Sequence, residues 1–338
     1  HTSSEYRNLL AQAEENYQMA ADLVPQDIDA AKGLSEAAFL VEKAEGPPGY
    51  ALPFFERLGR LAPNNVENLY VIAEYYHYQG SGQRLSETVS HLVMVYPSEY
   101  GQILKAAFYS PALRPAIRSG LETAVREKIN LKRACFALGL FLRDAQDFER
   151  AVDYYAKGID AGPGRNSVYN YLTLGSLQLA AEDVQAAFGT FETALVKNPG
   201  ADDLVRRIYH AFKSRDMVEE FLNFASMVGK VQVSSASFGI YVARARMELG
   251  LYELARAGLL KVIADKQDAE AYYLLALIGE KLKDWDAMEL YIQKATILDP
   301  LNCHYYKVFA KSLRSQGKKV QAAVQKQKSE ACRQSKKN

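Results

Sequence analysis

The stretch VYNYLTLGSLQLAAEDVQAAFGTFETALVKNPGA, residues 168–201, decides how the chain is read. Counted from its first residue, Tyr171, Leu174, Gly175, Ala187, Phe191, Ala194 and Pro199 stand at offsets 4, 7, 8, 20, 24, 27 and 32. Proline marks where helices stop. Asn198-Pro199 has counterparts at Ala62-Pro63, Tyr96-Pro97 and Asp299-Pro300, each closing a segment of helical periodicity. Pro63 and Pro97 lie 34 residues apart, and Pro163 and Pro199 lie 36 apart. A spacing of that size signals a helical repeat rather than a set of unrelated bundles.

The frame extends in both directions. From 132 it gives Leu138, Gly139, Ala151, Tyr155 and Pro163, and from 66 it gives Leu69, Ile72, Ala73, Tyr76 and Pro97. From 269 it gives Tyr272, Leu275, Ala276, Ala295 and Pro300; a final copy from 303 gives Tyr306, Ala310 and Ala322. The copy from 28 needs four extra residues near Gly46-Pro47-Pro48-Gly49 before Ala51, Phe55 and Pro63 fall into place. Segments 100–131 and 202–235 keep the spacing and lose the signature residues. The first 27 residues match only a second helix, through Ala13, Tyr17, Ala20 and Pro25.

These offsets resemble the W-x2-L-G-x2-Y, A-x3-F, P pattern of the tetratricopeptide repeat (TPR), with Tyr in place of Trp, over nearly the whole chain. The resemblance implies an all-α fold: a right-handed α-solenoid, or superhelix, of about nine helix-turn-helix repeats. Physical reasoning agrees with it. Leu at offset 7, Gly or Ala at 8 and Ala at 20 sit where two antiparallel helices cross, and small residues let the backbones approach. Large residues at 4, 11 and 24 fill the space around the crossing. One pair cannot bury its apolar face alone, so repeats must stack on their neighbours. The expected organisation is a partial repeat or cap at 1–27, with His1-Thr2-Ser3-Ser4 read as a cleavage scar. A solenoid at 28–302 follows, including the degenerate repeats 100–131 and 202–235, then a last repeat, capping helix and basic tail at 303–338.

The 338 residues are 49% hydrophobic and 24% charged, with 41 Lys and Arg against 40 Asp and Glu. That share is too apolar for a disordered chain. The near-neutral balance provides no global field to draw in nucleic acid or membrane. Apolar runs such as Ala137 to Leu142 fall far short of a ~20-residue membrane span. Cys135, Cys303 and Cys332 are too few and too scattered for a disulfide framework or a zinc site. Expected to be unpaired, they lean toward a reducing, cytoplasmic interior, with a periplasmic location as the alternative. His1, His77, His91, His210 and His304 form no metal-binding spacing, and Gly162-Pro163-Gly164 reads as a helix terminator, not a phosphate loop. Cys135 reads as a small buried residue beside Phe136. Glu14-Glu15 and Asp202-Asp203 read as acids on helix surfaces or helix starts. The expectation is a non-enzymatic chain that uses no metal or cofactor.

In the TPR family, positions 2, 5, 6, 9, 12 and 13 of each first helix face an inner groove. The resemblance therefore implies that Tyr70, Glu74, His77 and Tyr78 line it, then Leu104, Lys105 and Phe108, then Phe136, Leu140 and Arg143. Tyr169, Leu172 and Ser176 follow, then Arg206, Arg207, His210 and Lys213, then Ile240, Tyr241, Arg244 and Met247, and finally Tyr273, Leu277 and Glu280. An apolar, aromatic wall and a basic stripe from 206 to 244 suit an extended protein segment of some acidic character. The competing reading is a solvated face, with Arg206, Arg207 and Lys213 paired to Asp202, Asp203 and Asp216. No three consecutive copies supply the Lys, Asn and Arg set with which chaperone-binding members grip a terminal carboxylate, so a chaperone tail is not expected.

The last helix and tail carry Lys318, Lys319, Lys326, Lys328, Arg333, Lys336 and Lys337. End repeats need a polar outer face, and no aromatic residues interleave these cations, so they read as a cap and no nucleic-acid partner is expected. Residues 1–65 lean the other way, with ten acids and five bases, which leaves head-to-tail homo-oligomers open. The leading expectation is a protein–protein interaction scaffold that holds an extended partner segment. The alternative is a soluble accessory region of a larger membrane, secretion, polysaccharide-export or transferase machine. A third class, a small ligand or glycan in the groove, would lean on Tyr70, Tyr78, Tyr169 and Tyr273.

Overall fold

Two helices and a tight reversal between them form the building unit. At the reversals Gln146, Glu182, Asp216 and Lys283 adopt left-handed φ values of 63°, 63°, 57° and 59°, while Gly80, Gly250 and Gly317 hold the matching places. Just past this residue an amide bonds back into the last helical turn. Asp183 N donates to Gln178 O at 2.9 Å, and Asp284 N donates to Gly279 O at 2.8 Å. Such a closure satisfies carbonyls that the helix end would leave bare. The residue that donates then caps the next helix: Asp147 accepts from Arg150 N, Asp183 from Ala186 N and Asp284 from Ala287 N. At these capped reversals three residues separate the end of one helix from the start of the next.

The structure is a computed structural model that describes residues 2–44, 46–161, 167–198, 202–228 and 236–335. Among the described residues there is no strand, and the architecture is all-α, built of repeated helix pairs. The chain divides into two compact units, 1–164 and 165–338. Pro163, Pro199, Lys336 and Lys337 lie outside the described residues.

The first unit runs α1 (Thr2–Leu23), α2 (Ile28–Ala44), α3 (Leu52–Leu61), α4 (Val66–Tyr78), α5 (Gly82–Val95), α6 (Tyr100–Ile103), α7 (Arg114–Arg126), α8 (Leu131–Asp144) and α9 (Phe148–Asp160). Its helices pack mainly on their chain neighbours. The extra residues around Gly46-Pro47-Pro48-Gly49 form a turn gathered by one buried carboxylate. Glu42, 4% exposed, accepts from Gly49 N at 2.8 Å, Ala51 N at 2.9 Å and Tyr75 Oη at 3.3 Å, and also from Gln79 Nε2. Burial and the Glu42 charge push the Tyr75 hydroxyl far above its ordinary value.

The degenerate copy from 100 departs from the expected pair. Its first helix stops at Ile103, and farther on Pro111 holds Ser110 extended at φ −140° and ψ 156°, so no helix runs through that point either. With α6 so short, α7 packs directly on α5. A Cβ at Gly120 would sit 2.2 Å from the backbone oxygen of Ser90, so that crossing requires glycine.

The second unit runs α10 (Val168–Ala180), α11 (Val184–Lys197), α12 (Asp202–Lys213), α13 (Val218–Val228), α14 (Ala236–Glu248), α15 (Tyr252–Asp265), α16 (Ala269–Lys281), α17 (Trp285–Leu298), α18 (Cys303–Ser315) and α19 (Lys319–Ser335). Each first helix also touches the next first helix, α10 on α12, α12 on α14 and α14 on α16. A Cβ on Gly175 would meet the Phe191 ring at 2.5 Å, so the small residue at offset 8 makes room for the large one at offset 24 that fills the space around the crossing. Phe188, Phe191, Phe212, Phe221 and Phe224 then fill the core between α11, α12 and α13.

The cysteines correct the sequence reading. Cys303 and Cys332 form a disulfide with their Cα atoms 5.5 Å apart, and only Cys135 is free, fully buried. An antiparallel pair brings the start of its first helix beside the end of its second, so a separation of 29 residues becomes a contact. Scatter along the chain was the wrong measure. The ground for a reducing compartment goes with it.

Candidate functional site

In the second unit the first helices carry a connected row of rings and charges. Tyr169 on α10 is 55% exposed, and the Arg207 guanidinium from α12 lies 4.9 Å from its ring centre. Arg206 and Arg207 both bond Asp203, one turn earlier on the same helix. Bonds from Arg207 and then Arg206 hold the Asp203 carboxyl below the usual carboxylate range. The Tyr209 ring packs 5.2 Å from Tyr241 on α14, and the exposed His210 ring stands 6.4 Å from the same tyrosine. Lys213 and the Tyr209 hydroxyl both donate to Glu248. Burial pushes the Glu248 carboxyl up, and those two bonds outweigh it, leaving it lower than usual. Arg244 crosses to Glu270 at the start of α16, its Nε 3.0 Å from Oε1. Tyr273 on α16 stacks 5.1 Å from Tyr305 on α18 and shares a hydrogen bond of 3.1 Å with His304 Nε2.

The expected basic stripe is thus largely neutralised from within. Asp203 answers Arg206 and Arg207, Glu248 answers Lys213, and Glu270 answers Arg244. Of the acids proposed as partners in the solvated-face reading, only Asp203 among the described residues makes ion pairs with these cations. Unpaired cations gather farther along. Lys307 and Arg314 of α18 and Arg333 of α19 have no carboxylate in ion-pair range among the described residues. They border a hollow of about 660 Å³ between α16, α18 and α19.

In the first unit Tyr78 and Glu74 sit together on α4. Tyr78 is 49% exposed and meets Phe39 edge-on at 5.1 Å. Lys43 lies 3.8 Å over the Phe39 ring and 3.9 Å from Glu74. Tyr70 is half-buried and donates to Glu99 at 3.1 Å. Burial and that carboxylate push its hydroxyl well above its ordinary value. Phe136 packs on Tyr155 of its own helix pair, 4.7 Å between ring centres.

Three expected groove residues face the core, among them Ile240, 4% exposed on α14. Phe108 is 4% exposed and lies in the turns after α6, where no helix exists to present it. Leu172, 7% exposed, packs within the core that joins α10, α11 and α12. Sequence reasoning missed His304, Lys307 and Arg314. All three stand at groove positions 2, 5 and 12 of the copy from 303, where the basic run was legible. It also missed Phe39 and Lys43, which precede the inserted turn.

Among the described residues no group of three or more His, Cys, Asp or Glu is placed to hold a metal ion, and no helix is long and apolar enough to cross a membrane.

No family model matches the chain. A curated relative, the TPR repeat-containing protein YpiA of Bacillus subtilis (strain 168), is 23% identical over 281 residues, 81% of this chain. The chain spans about 64% of that relative's length. Among solved structures, a tetratricopeptide repeat protein from Parabacteroides merdae ATCC 43184 is 15% identical, with a TM-score of 0.36 over 70% of this chain and 93% of that one. MamA from Desulfovibrio magneticus RS-1 is 18% identical, with a TM-score of 0.33 over 61% of this chain and 97% of that one.

Proposed function

We propose that the chain is a non-catalytic scaffold that holds an extended segment of another protein along the first helices of its repeats. The observation that carries this is the row from Tyr169 through Arg207, Tyr241 and Arg244 to Tyr273, contributed by successive first helices. Tyrosine and arginine, ordered by their neighbours and still partly accessible, are the residue types that dominate protein interfaces. Their mutual contacts fix the side chains before a partner arrives, which reduces the entropy cost of binding. The first unit offers a comparable cluster in Tyr78, Glu74 and Lys43. A right-handed solenoid with one inner surface is the geometry that this reading proposes. The Cys303–Cys332 bond supports an oxidising compartment for the chain.

Affinity capture from source lysate tests the reading when the whole chain is compared with a Tyr169→Ala/Tyr241→Ala double variant. Proteins retained by the native chain should be lost from the variant while its thermal unfolding stays within a few degrees. An unchanged set of captured proteins would remove these helices from the binding surface.

A further inference from the structure

Resting on the scaffold reading, and deepening it at one place, we propose that the hollow between α16, α18 and α19 binds an acidic peptide segment bearing an aliphatic anchor. Its volume of about 660 Å³ lies within the range of sites that enclose a ligand. Tyr273, Leu277 and Val308 form its apolar floor. Around them stand Lys307, Lys311, Arg314, Lys326 and Arg333, against only Glu280 and Glu330. Lys311 is taken up by Glu280 and Lys326 by Glu330. Lys307, Arg314 and Arg333 are left with no carboxylate partner in the described chain. Three unanswered cations around an apolar floor call for carboxylates flanking a leucine-like side chain.

The walls are held in advance of any ligand. Cys332 of α19 is bonded to Cys303 of α18, and Ser329 Oγ donates to Cys303 O at 2.9 Å. Ser329 is itself 5% exposed. The helix that carries Arg333 is therefore fixed beside the helix that carries Lys307 and Arg314.

Nucleic acid is the weaker match. Base stacking needs an open aromatic face, but Tyr273 already stacks on Tyr305 at 5.1 Å and meets His304 edge-on at 5.7 Å. The floor offers aliphatic contacts in place of a stacking platform.

The experiment is fluorescence anisotropy with the full chain and three labelled probes: a peptide alternating leucine with glutamate and aspartate, its counterpart with lysine replacing every acid, and an oligothymidylate of equal charge. The acidic peptide should bind in the micromolar range, weaken as salt rises, and lose at least tenfold in affinity with Lys307→Glu/Arg314→Glu. Both residues are exposed and have no ion-pair partner among the described residues, so the double variant should keep its native circular dichroism. Lys307→Ala/Arg314→Ala replaces it if that spectrum changes. Lys261→Glu/Lys266→Glu, on and just after α15, applies the same charge reversal outside the hollow and should leave affinity unchanged. No binding of the acidic peptide at millimolar concentration would overturn the proposal. So would binding that survives the Lys307 and Arg314 variants, or an oligothymidylate that binds as tightly. If the peptide fails while partner capture still depends on Tyr169 and Tyr241, only this inference falls and the scaffold reading stands.

Discussion

Glu42 organises the inserted turn of the first unit, accepting two backbone amides, a tyrosine hydroxyl and a glutamine amide from inside the fold. Glu42→Gln keeps the shape but offers one acceptor oxygen and turns an NH2 group toward donors. Leaving buried donors unmet costs about 1–3 kcal/mol. The expected outcome is a lower urea midpoint at unchanged slope, together with faster hydrogen exchange at the Gly49 and Ala51 amides. Unaltered exchange at both amides would show that the turn holds without the carboxylate. Position 5 of the first helices shows what sequence alone could and could not give at this scale. Arg206 and Lys307 are exposed there, Tyr70, Phe136 and Tyr273 are half-buried, and Leu172 and Ile240 are buried. The position lies between neighbouring first helices, so a long polar side chain escapes to the surface while an aliphatic one stays in the contact. The offset marks the face; residue chemistry decides whether it is presented.

At the scale of elements, first helices begin at Ile28, Val66, Val168, Ala269 and Cys303, which are the starts of the repeat frame. That agreement follows from local signals, since proline endings and aspartate caps are read within a few residues. The copy from 100 carries a local obstacle too, because Pro111 lies inside the segment that had to be helical and bars a helix through Ser110. The disulfide was illegible only while cysteines were counted along the chain; placed in the frame, they fall at opposite ends of one pair. A thiol titration checks it. Native chain purified without reductant should show no reactive thiol, because Cys135 is fully buried and burial raises its pKa. Denaturant should expose one thiol, and reduction before denaturant should expose three. Reduction should also destabilise the α18–α19 pair by about 2–4 kcal/mol, read as faster exchange of α19 amides. Three thiols in denaturant without reductant would contradict the pairing.

For the molecule as a whole, the all-α class and the helix-pair plan could be read from one 34-residue stretch, because every repeat solves the same packing problem. The division into units at 164 and 165 left no comparable mark in the repeat frame. Charge was the least legible feature. The sequence placed a basic stripe from 206 to 244, yet its cations are answered by Asp203, Glu248 and Glu270, the latter two from neighbouring helices. Composition cannot reveal which charges a fold has already spent on itself. The central claim, that partners lie along the first helices, is tested most directly by photo-crosslinking in the source cells. A photoreactive phenylalanine would replace Tyr169, Tyr241 or Tyr273 in turn, and, as controls, Leu254 or Leu290, which are 55% and 50% exposed on second helices. The account expects a protein adduct from the three tyrosine sites and none from the two leucine sites; adducts confined to Leu254 and Leu290 would contradict it.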